Sequence, residues 1–352
     1  MKTLNAIKNS GFTVVEMMIS MVLGALLLGG IISLFTNNQQ TYRMIQGTAN
    51  LQDNARFAIE LISEDIRMAG YMGCLSSMSD ITLKNVLKNT ADDFAYQFNI
   101  GIEGFNGSGA TWTPTLPAFI ANKNPTPQSN TDVIVIRRVI DNGADLIKTM
   151  PPPAEALQVK NTTTLNDKEI AIISDCQKAT IFQITNTNVQ AGTGNINLVH
   201  NSGGGSTPGN KNEPLYDGPG YNPGESSIYK FISNIYYIAP AQDTAGQALT
   251  NNRGLPVLSL WRIQEANNPE EILRGVENLQ IVYGVDSTPA PPSAGDGRVD
   301  QYQNASSLAD FNRVITARIE LMVNSIDSIG SQNDGILRRT FSHTVKLRNR
   351  GS

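Results

Sequence analysis

The fold of this 352-residue chain is decided near its N-terminus, which reads KNSGFTVVE over residues 8–16 and continues as an apolar run over residues 17–36. The run contains no charged side chain, and a helix of this length, rising 1.5 Å per residue, spans a hydrocarbon core of about 30 Å. Lys2 and Lys8 precede it, and cationic flanks favour the cytoplasmic side. The sequence therefore predicts one membrane span, with everything after Asn37 on the far side of the membrane.

Three interpretations of this segment compete. It is an ordinary signal peptide cut after the apolar run, an uncut signal anchor, or a leader of residues 1–11 that is cut before the run. Glu16 favours the third, because a carboxylate inside a membrane segment costs about 2.5–3.5 kcal/mol and is usually functional. Cleavage after Gly11 creates a cationic amine on Phe12, four residues before Glu16. Glu16 of one subunit can then pair with the Phe12 amine of its neighbour at low dielectric, and an anion also suits the first helical turn.

The helical pattern continues well beyond the membrane. Apolar residues recur at spacings of three and four, which predicts one buried stripe: Leu51, Ala55, Ala58, Ile62 and Ile66. No proline interrupts residues 12–69, and Gly70 and Gly73 are natural stop signals. We therefore predict one helix with two halves. Residues 12–36 lie in the membrane or a filament core, and residues 37–70 are amphipathic and pack on a globular domain.

The remaining region, residues 71–352, is predicted to be a β-rich extracytoplasmic domain, which makes the fold class α+β. Residues 133–139 are apolar on both faces apart from Arg137 and Arg138, which indicates a central strand. Further strands are predicted at residues 170–173, 181–184, 228–238, 257–263, 279–283, 315–323 and 337–347. Arg339 and His343 fall on apolar positions of the last strand. Residues 201–224 are rich in Gly, Pro and Asn, so we expect a loop too polar to pack well and a subdivision of the domain near it.

The N-terminal segment resembles the type IV prepilin signature, in which Gly precedes the cut, Phe follows it and Glu lies four residues further on. These positions are Gly11, Phe12 and Glu16. The resemblance implies that a membrane prepilin peptidase cuts after Gly11 and methylates the new Phe12 amine. It also implies that Glu16 acts in assembly.

Four later stretches resemble the PilW minor pilins: residues 40–43, 51–58, 65–74 and 275–286. Residues 174–176, followed by the strand-like residues 179–185, and residues 337–349 match this family too. The family resemblance implies a pilin-like fold and a structural subunit of low abundance, without enzymatic activity. The implied partners are other minor pilins, the major pilin, the prepilin peptidase and the inner-membrane assembly platform. The implied locations are the inner membrane, with the domain in the periplasm, and then the pilus tip at the cell surface. The implied processes include pilus initiation, twitching motility and DNA uptake.

Two other functions remain open at this point. A J-type minor pseudopilin of type II secretion has a similar architecture. A membrane-anchored periplasmic enzyme or binding protein is the alternative of a different class, but His200 and His343 are far apart and each lacks a nearby ligand spacing. No P-loop or nucleophile motif occurs in the sequence. Net charge is −4 and the cationic residues are scattered, so nothing indicates a nucleic-acid-binding face.

Three further expectations concern particular side chains. If the domain is exported, Cys74 and Cys176 form one disulfide closing a loop of roughly 100 residues, worth about 4–5 kcal/mol in the chain-entropy model; otherwise they are two unrelated buried thiols. Asp286, Asp296 and Asp300 faintly resemble a calcium loop, with a solvated turn as the alternative. The loops, with aromatic residues that we expect to be exposed, are predicted to contact other minor pilins or a tip adhesin. These aromatic residues are Trp112, Tyr216 and Tyr221.

Overall fold

The computed structural model describes residues 13–73, 82–88, 93–140, 143–149, 156–160, 164–203, 205, 207–216, 218, 220–287, 296–329, 334–348 and 350. The leader, Gly11, Phe12 and Cys74 lie outside these residues, so the predicted processing site and disulfide stay predictions.

A single long helix, α1 (Val14–Arg67), opens the described part of the chain. Its buried residues include Leu51, Ala55, Ala58, Ile62 and Ile66, so the stripe predicted from the spacing is confirmed. Gly70 follows the helix with a φ of 73°, a left-handed conformation that suits glycine at a helix end. The helix therefore ends two residues before Ala69, the predicted end.

The strands follow in chain order: β1 (Thr82–Asn85), β2 (Ile102–Ser108), β3 (Thr111–Thr113), β4 (Val133–Val139), β5 (Ala144–Asp145), β6 (Leu157–Val159), β7 (Ile170–Ser174), β8 (Lys178–Gln183), β9 (Asn186–Val189), β10 (Ile196–Val199), β11 (Ser227–Pro240), β12 (Leu258–Gln264), β13 (Glu270–Arg274), β14 (Val276–Val285), β15 (Gln301–Asn304), β16 (Val314–Asn324) and β17 (Arg338–Lys346). A short helix, α2 (Ala118–Ala121), lies between β3 and β4. The α+β fold class is therefore confirmed.

The largest sheet is organised around β11, the longest of the described strands. The first part of β11 pairs with β7 and β5, and its later part pairs with β4 on one side and β12 on the other. Neighbouring strands of the large sheet therefore lie in the order β1-β8-β7-β11-β4-β2-β3, and β13 pairs with β12. β1 and β8 are parallel. β11 changes neighbours along its length, so it joins two groups of strands into one large sheet.

Two smaller sheets complete the domain. β15, β14, β16 and β17 form an antiparallel sheet in that order, and β6, β10 and β9 form another. The buried stripe of α1 packs with apolar side chains of the four-stranded sheet and with one face of the large sheet, including Ile134 and Ile238. Val135 and Tyr237 lie in a second apolar cluster with other residues of the large sheet. In the central strands of the large sheet, alternate side chains point to opposite faces and pack into different clusters. These strands are therefore apolar at nearly every position.

Asp132 links the two sheets that surround the helix. Its carboxylate accepts a hydrogen bond from Gly107 N on β2, in the large sheet, at 2.9 Å. It also accepts one from Ile281 N on β14, in the four-stranded sheet, at 2.8 Å. Asn106 Nδ2 donates to it as well, at 3.0 Å. Burial raises the pKa of the Asp132 carboxyl, although these donors oppose the shift.

The expected exposure of two aromatic residues was wrong. Tyr216 and Tyr221 are buried, with exposed fractions of 4% and 0%, because both side chains pack into a third apolar cluster that contains Phe182. In β17, Arg339 and His343 lie on the predicted parity but are exposed. The reason is that β17 is the outer strand of its sheet, paired with β16 alone among the described strands.

Candidate functional site

Glu16 lies at the start of α1 and takes part in a reciprocal cap. Glu16 N donates to Thr13 Oγ1 at 3.3 Å, and Glu16 Oε2 accepts from Thr13 N at 2.9 Å and from Thr13 Oγ1 at 3.0 Å. This capping box satisfies backbone N–H groups that a helix start otherwise leaves unpaired. In the single chain, the carboxylate is therefore held by its own helix start, and the predicted pairing with the Phe12 amine of a neighbour stays a prediction.

The helix beyond Glu16 exposes a long apolar surface. Among its large side chains, Met21 is 80% exposed and Leu23 is 56% exposed. By length and composition, α1 contains one segment that can cross a membrane, and none of that segment is buried in the chain. An apolar surface of this size requires a cover outside the chain, which lipid or the helices of other subunits can provide.

The second half of α1 is attached to the domain through a buried carboxylate that the sequence reasoning missed. The Asp65 side chain is 5% exposed and forms an ion pair with Arg138 Nη2 at 2.9 Å. Its other oxygen accepts from Asn234 Nδ2 and from Tyr236 Oη, each at 2.6 Å. Burial, together with the neighbouring Asp65, raises the pKa of the Tyr236 hydroxyl. A signal was present, because Asp65 lies on the apolar stripe, three residues after Ile62.

Arg137, the neighbour of Arg138 on β4, is fully buried on the opposite side of the strand. Its guanidinium contacts Glu103 Oε2 at 3.1 Å and donates to Phe94 O at 2.9 Å. Burial lowers the pKa of Arg137, and Glu103 opposes this shift. The two arginines that interrupt the apolar pattern of β4 therefore serve different contacts. Arg138 binds the helix, and Arg137 binds the segment before β2.

The calcium candidates do not converge. Asp286 Oδ2 accepts from Gly297 N, Asp296 Oδ1 from Arg298 N at 3.0 Å, and Asp300 Oδ2 from Ser287 N at 2.7 Å. Each carboxylate thus accepts a hydrogen bond from a nearby backbone N–H group. Residues 288–295 lie outside the described part of the chain, and within that part no group of three or more His, Cys, Asp or Glu side chains is arranged to hold a metal ion.

The histidines lie in different parts of the domain. His200 follows β10, is 8% exposed and packs edge-on against Phe182 at 5.8 Å between ring centroids. His343 is exposed on β17, opposite Ile319. Trp112, the third predicted contact residue, is half-buried and donates from Nε1 to Thr131 O at 2.9 Å. The described residues therefore present one candidate functional element, which is the N-terminal helix with its glutamate.

A helix that is exposed and apolar in its first half, and packed on a β-rich domain in its second half, defines the class of pilin-like proteins. The comparisons with known families agree with this class. Residues 7–32 match the prokaryotic N-terminal methylation motif, and residues 235–349 match PilW, the type IV pilus-assembly protein W. The two matched stretches are those of a PilW-family pilin-like protein, and together they cover less than half of the chain. No curated protein and no solved structure shows significant similarity to it.

The two matches support a type IV pilin-like role. The matches imply that the chain plays a pilin-like role in a type IV pilus system and interacts with other pilus components. Its apolar helix and methylation motif are consistent with membrane anchoring and pilus association. The PilW match covers β12–β17 and the second part of β11, which includes the four-stranded sheet against α1.

Proposed function

We propose that this chain is a minor pilin that helps to initiate a type IV pilus and lies at or near its tip. A prepilin peptidase cuts it after Gly11 and methylates the Phe12 amine. Until assembly, residues 12–36 hold it in the inner membrane, and residues 71–352 lie in the periplasm. The assembly platform then joins it to other minor pilins and to the major pilin.

The observation that carries this proposal is the two-part helix. From Val14 to Asn50, α1 has no buried residue, whereas from Leu51 onward its apolar stripe lies in the core of the domain. A signal peptide requires no such continuous connection to a domain, because it is removed. A helix that is both anchor and core element suits a subunit whose apolar half moves from lipid into a bundle of similar helices.

Glu16 supports the same proposal. Because its carboxylate lies beside the helix start, a methylated amine on Phe12 of a neighbouring subunit can replace the hydroxyl of Thr13 as its partner. This exchange replaces a neutral contact with a charged one at low dielectric, which strengthens the pairing.

The proposal is tested first by intact-mass analysis of the chain extracted from membranes. We expect a mature chain that begins at Phe12 and carries one additional methyl group. A chain that begins near residue 37, or one that keeps Met1, contradicts the proposal and favours a secreted or simply anchored periplasmic protein.

A deletion strain then distinguishes the two filament systems. We expect loss of surface pili, restored by the wild-type gene, with protein secretion unchanged. Loss of secretion with normal piliation assigns the chain to the J-type pseudopilins instead. Immunogold labelling at the pilus ends, rather than along the shaft, is the expected result for a tip subunit.

A further inference from the structure

Two loops of the domain reach back to α1 just beyond its apolar half and form a cleft of about 420 Å³ with it. The lining residues are Gln40, Arg43, Asn252, Arg253, Ser328 and Ile329. We propose that this cleft binds the phosphate of an anionic phospholipid headgroup while the chain is anchored in the membrane. The inference rests on the membrane anchoring and periplasmic orientation of the proposed function.

The first argument is the depth of the cleft relative to the membrane. Gln40 and Arg43 follow Thr36, the end of the apolar run, by four and seven residues. At 1.5 Å per residue they lie about 6 and 10 Å beyond the hydrocarbon edge, where the headgroup layer extends about 5–8 Å. Side chains on a helix point towards its N-terminus, so Arg43 reaches back to the headgroups.

The second argument is charge. Arg43 is the first charged residue after Glu16, and Arg253 lines the same cleft from the loop between β11 and β12. No carboxylate is among the six lining residues, although Asp327 lies in the wall, where Oδ1 accepts from Asn252 N at 3.1 Å. Both guanidinium groups are cationic, and the planar fork of arginine donors matches phosphate geometry well.

The third argument is that the cleft has a defined wall. Ser328 N donates to Asn252 Oδ1 at 3.1 Å, and Asn251 Nδ2 donates to Ile326 O at 3.0 Å, so the two loops are tied to each other. The loop pair meets α1 where Ile329 packs on Gly47, since a Cβ atom on Gly47 would lie 2.3 Å from Ile329 Cδ1. The loops therefore hold Arg253 and Ser328 beside the helix.

The fourth argument is the distribution of exposed apolar side chains. After residue 35, few large apolar side chains are exposed in the described part of the chain. They are Tyr42, Met44, Ile45, Phe57, Val189, Leu255 and Tyr302. Tyr42, Met44 and Ile45 lie at the level of the cleft on α1, and Leu255 is two residues after Arg253. Aromatic and apolar side chains beside arginine are typical of a membrane interface.

Native mass spectrometry of the full chain, purified in detergent micelles that contain dioleoyl phosphatidylglycerol, tests the proposal. We expect one lipid retained on the wild-type chain and at least a fivefold lower retained fraction in the R43Q/R253Q double variant. The control is R348Q, which removes one positive charge from an exposed residue whose backbone N–H donates to Arg67 O at 2.9 Å, at the far end of α1. It should change retention less than twofold.

The R43K/R253K variant, which keeps both charges, should retain more lipid than the double Gln variant and covers the case in which the latter fails to fold. Equal retention in the double Gln variant and the wild type overturns the proposal, as does an equal loss in R348Q. Full displacement of the lipid by millimolar inorganic phosphate also overturns it, because the cleft is then a site for free phosphate. Carbonate extraction of cell membranes separates the two proposals. A chain that carbonate releases contradicts the anchoring itself, whereas an anchored chain without retained lipid contradicts only the headgroup site.

Discussion

At the scale of single residues, Glu16 is the side chain whose chemistry is least compatible with its surroundings. It is the one charged residue in the first 29 positions of α1, from Val14 to Tyr42. The capping box shows how the isolated chain accommodates it, since Thr13 supplies both a backbone and a hydroxyl donor at 2.9 and 3.0 Å. The cap lowers the cost of a carboxylate in this position without giving it a role in assembly.

The Glu16→Ala substitution separates these two contributions. We expect normal cleavage and normal membrane insertion, because neither requires the carboxylate, but at least a tenfold loss of the chain from sheared pili. The measurement is an immunoblot of membrane and sheared-pilus fractions. Ser20→Ala is the matched control, because Ser20 lies one turn further along the helix and its hydroxyl donates to the backbone carbonyl Glu16 O at 2.7 Å within the same helix. Full incorporation of the Glu16→Ala chain would contradict the assembly role and favour a periplasmic enzyme or binding protein.

At the scale of elements, the glycine that follows α1 meets the large sheet through its backbone. Gly70 N donates to Arg137 O at 2.9 Å, and Arg137 N donates to Gly101 O at 2.8 Å. The backbone of Arg137 on β4 is therefore hydrogen-bonded to both glycines. A Cβ atom on Gly101 would lie 2.4 Å from Gly70 Cα and 2.5 Å from Gly70 N. Because these neighbours are backbone atoms, they cannot move aside as a side chain can.

Gly101→Ala should therefore lower the free energy of unfolding by about 1–3 kcal/mol, the usual cost of an overpacked contact. Denaturant unfolding of the full chain in detergent, followed by near-UV circular dichroism, measures this. The comparison variant is Gly47→Ala, whose added Cβ meets the end of the Ile329 side chain. That tip can rotate away, so we expect a smaller loss. Equal losses in the two variants would show that backbone contact does not decide the cost.

Local pattern predicted α1 and eight of the described strands, and it missed the others. The stripe of α1 and the predicted strands repeat with periods that local sequence carries. The predicted strands are β4, β7, β8, β11, β12, β14, β16 and β17. β2 was missed because its residues, Ile102–Ser108, include two glycines and an asparagine that disfavour strands. Arg339 and His343 were placed on the correct face, but their exposure depends on which strand is outermost, which alternation does not encode.

At the scale of the whole molecule, one buried polar cluster attaches the second half of α1 to the domain. Asp65 is the polar centre of this attachment, with Arg138, Asn234 and Tyr236 as its partners. A buried carboxylate with several donors fixes one orientation of a helix on a sheet more sharply than apolar packing alone. We propose that Asp65 sets the orientation of the helix. This role differs from a contribution to stability, because buried ion pairs often add little net stability.

Asp65→Ala should destabilise the chain by about 3 kcal/mol, because removing one partner leaves the buried donors of the others unpaired. The value is at the lower end of the usual range, since the Arg138 side chain keeps 17% exposure to water. Thermal unfolding of the full chain in detergent checks the prediction. Asp53→Asn, at an exposed position of the same helix, should change stability by less than about 0.5 kcal/mol. A similarly small effect of Asp65→Ala would mean that apolar packing alone holds the helix.

The sequence by itself determined the membrane-spanning helix, its amphipathic continuation, the position of Glu16 and the β-rich class of the domain. These features depend on charge, hydropathy and period within short windows, which the order of residues carries directly. Only the tertiary structure decided which distant side chains meet. Tyr236 donates a hydrogen bond to Asp65, 171 residues away, β11 pairs with two sets of strands, and Tyr216 and Tyr221, which were expected to be exposed, are buried in an apolar cluster. The physical reason is that burial and hydrogen-bond partners depend on how whole elements pack, and no local period specifies that packing.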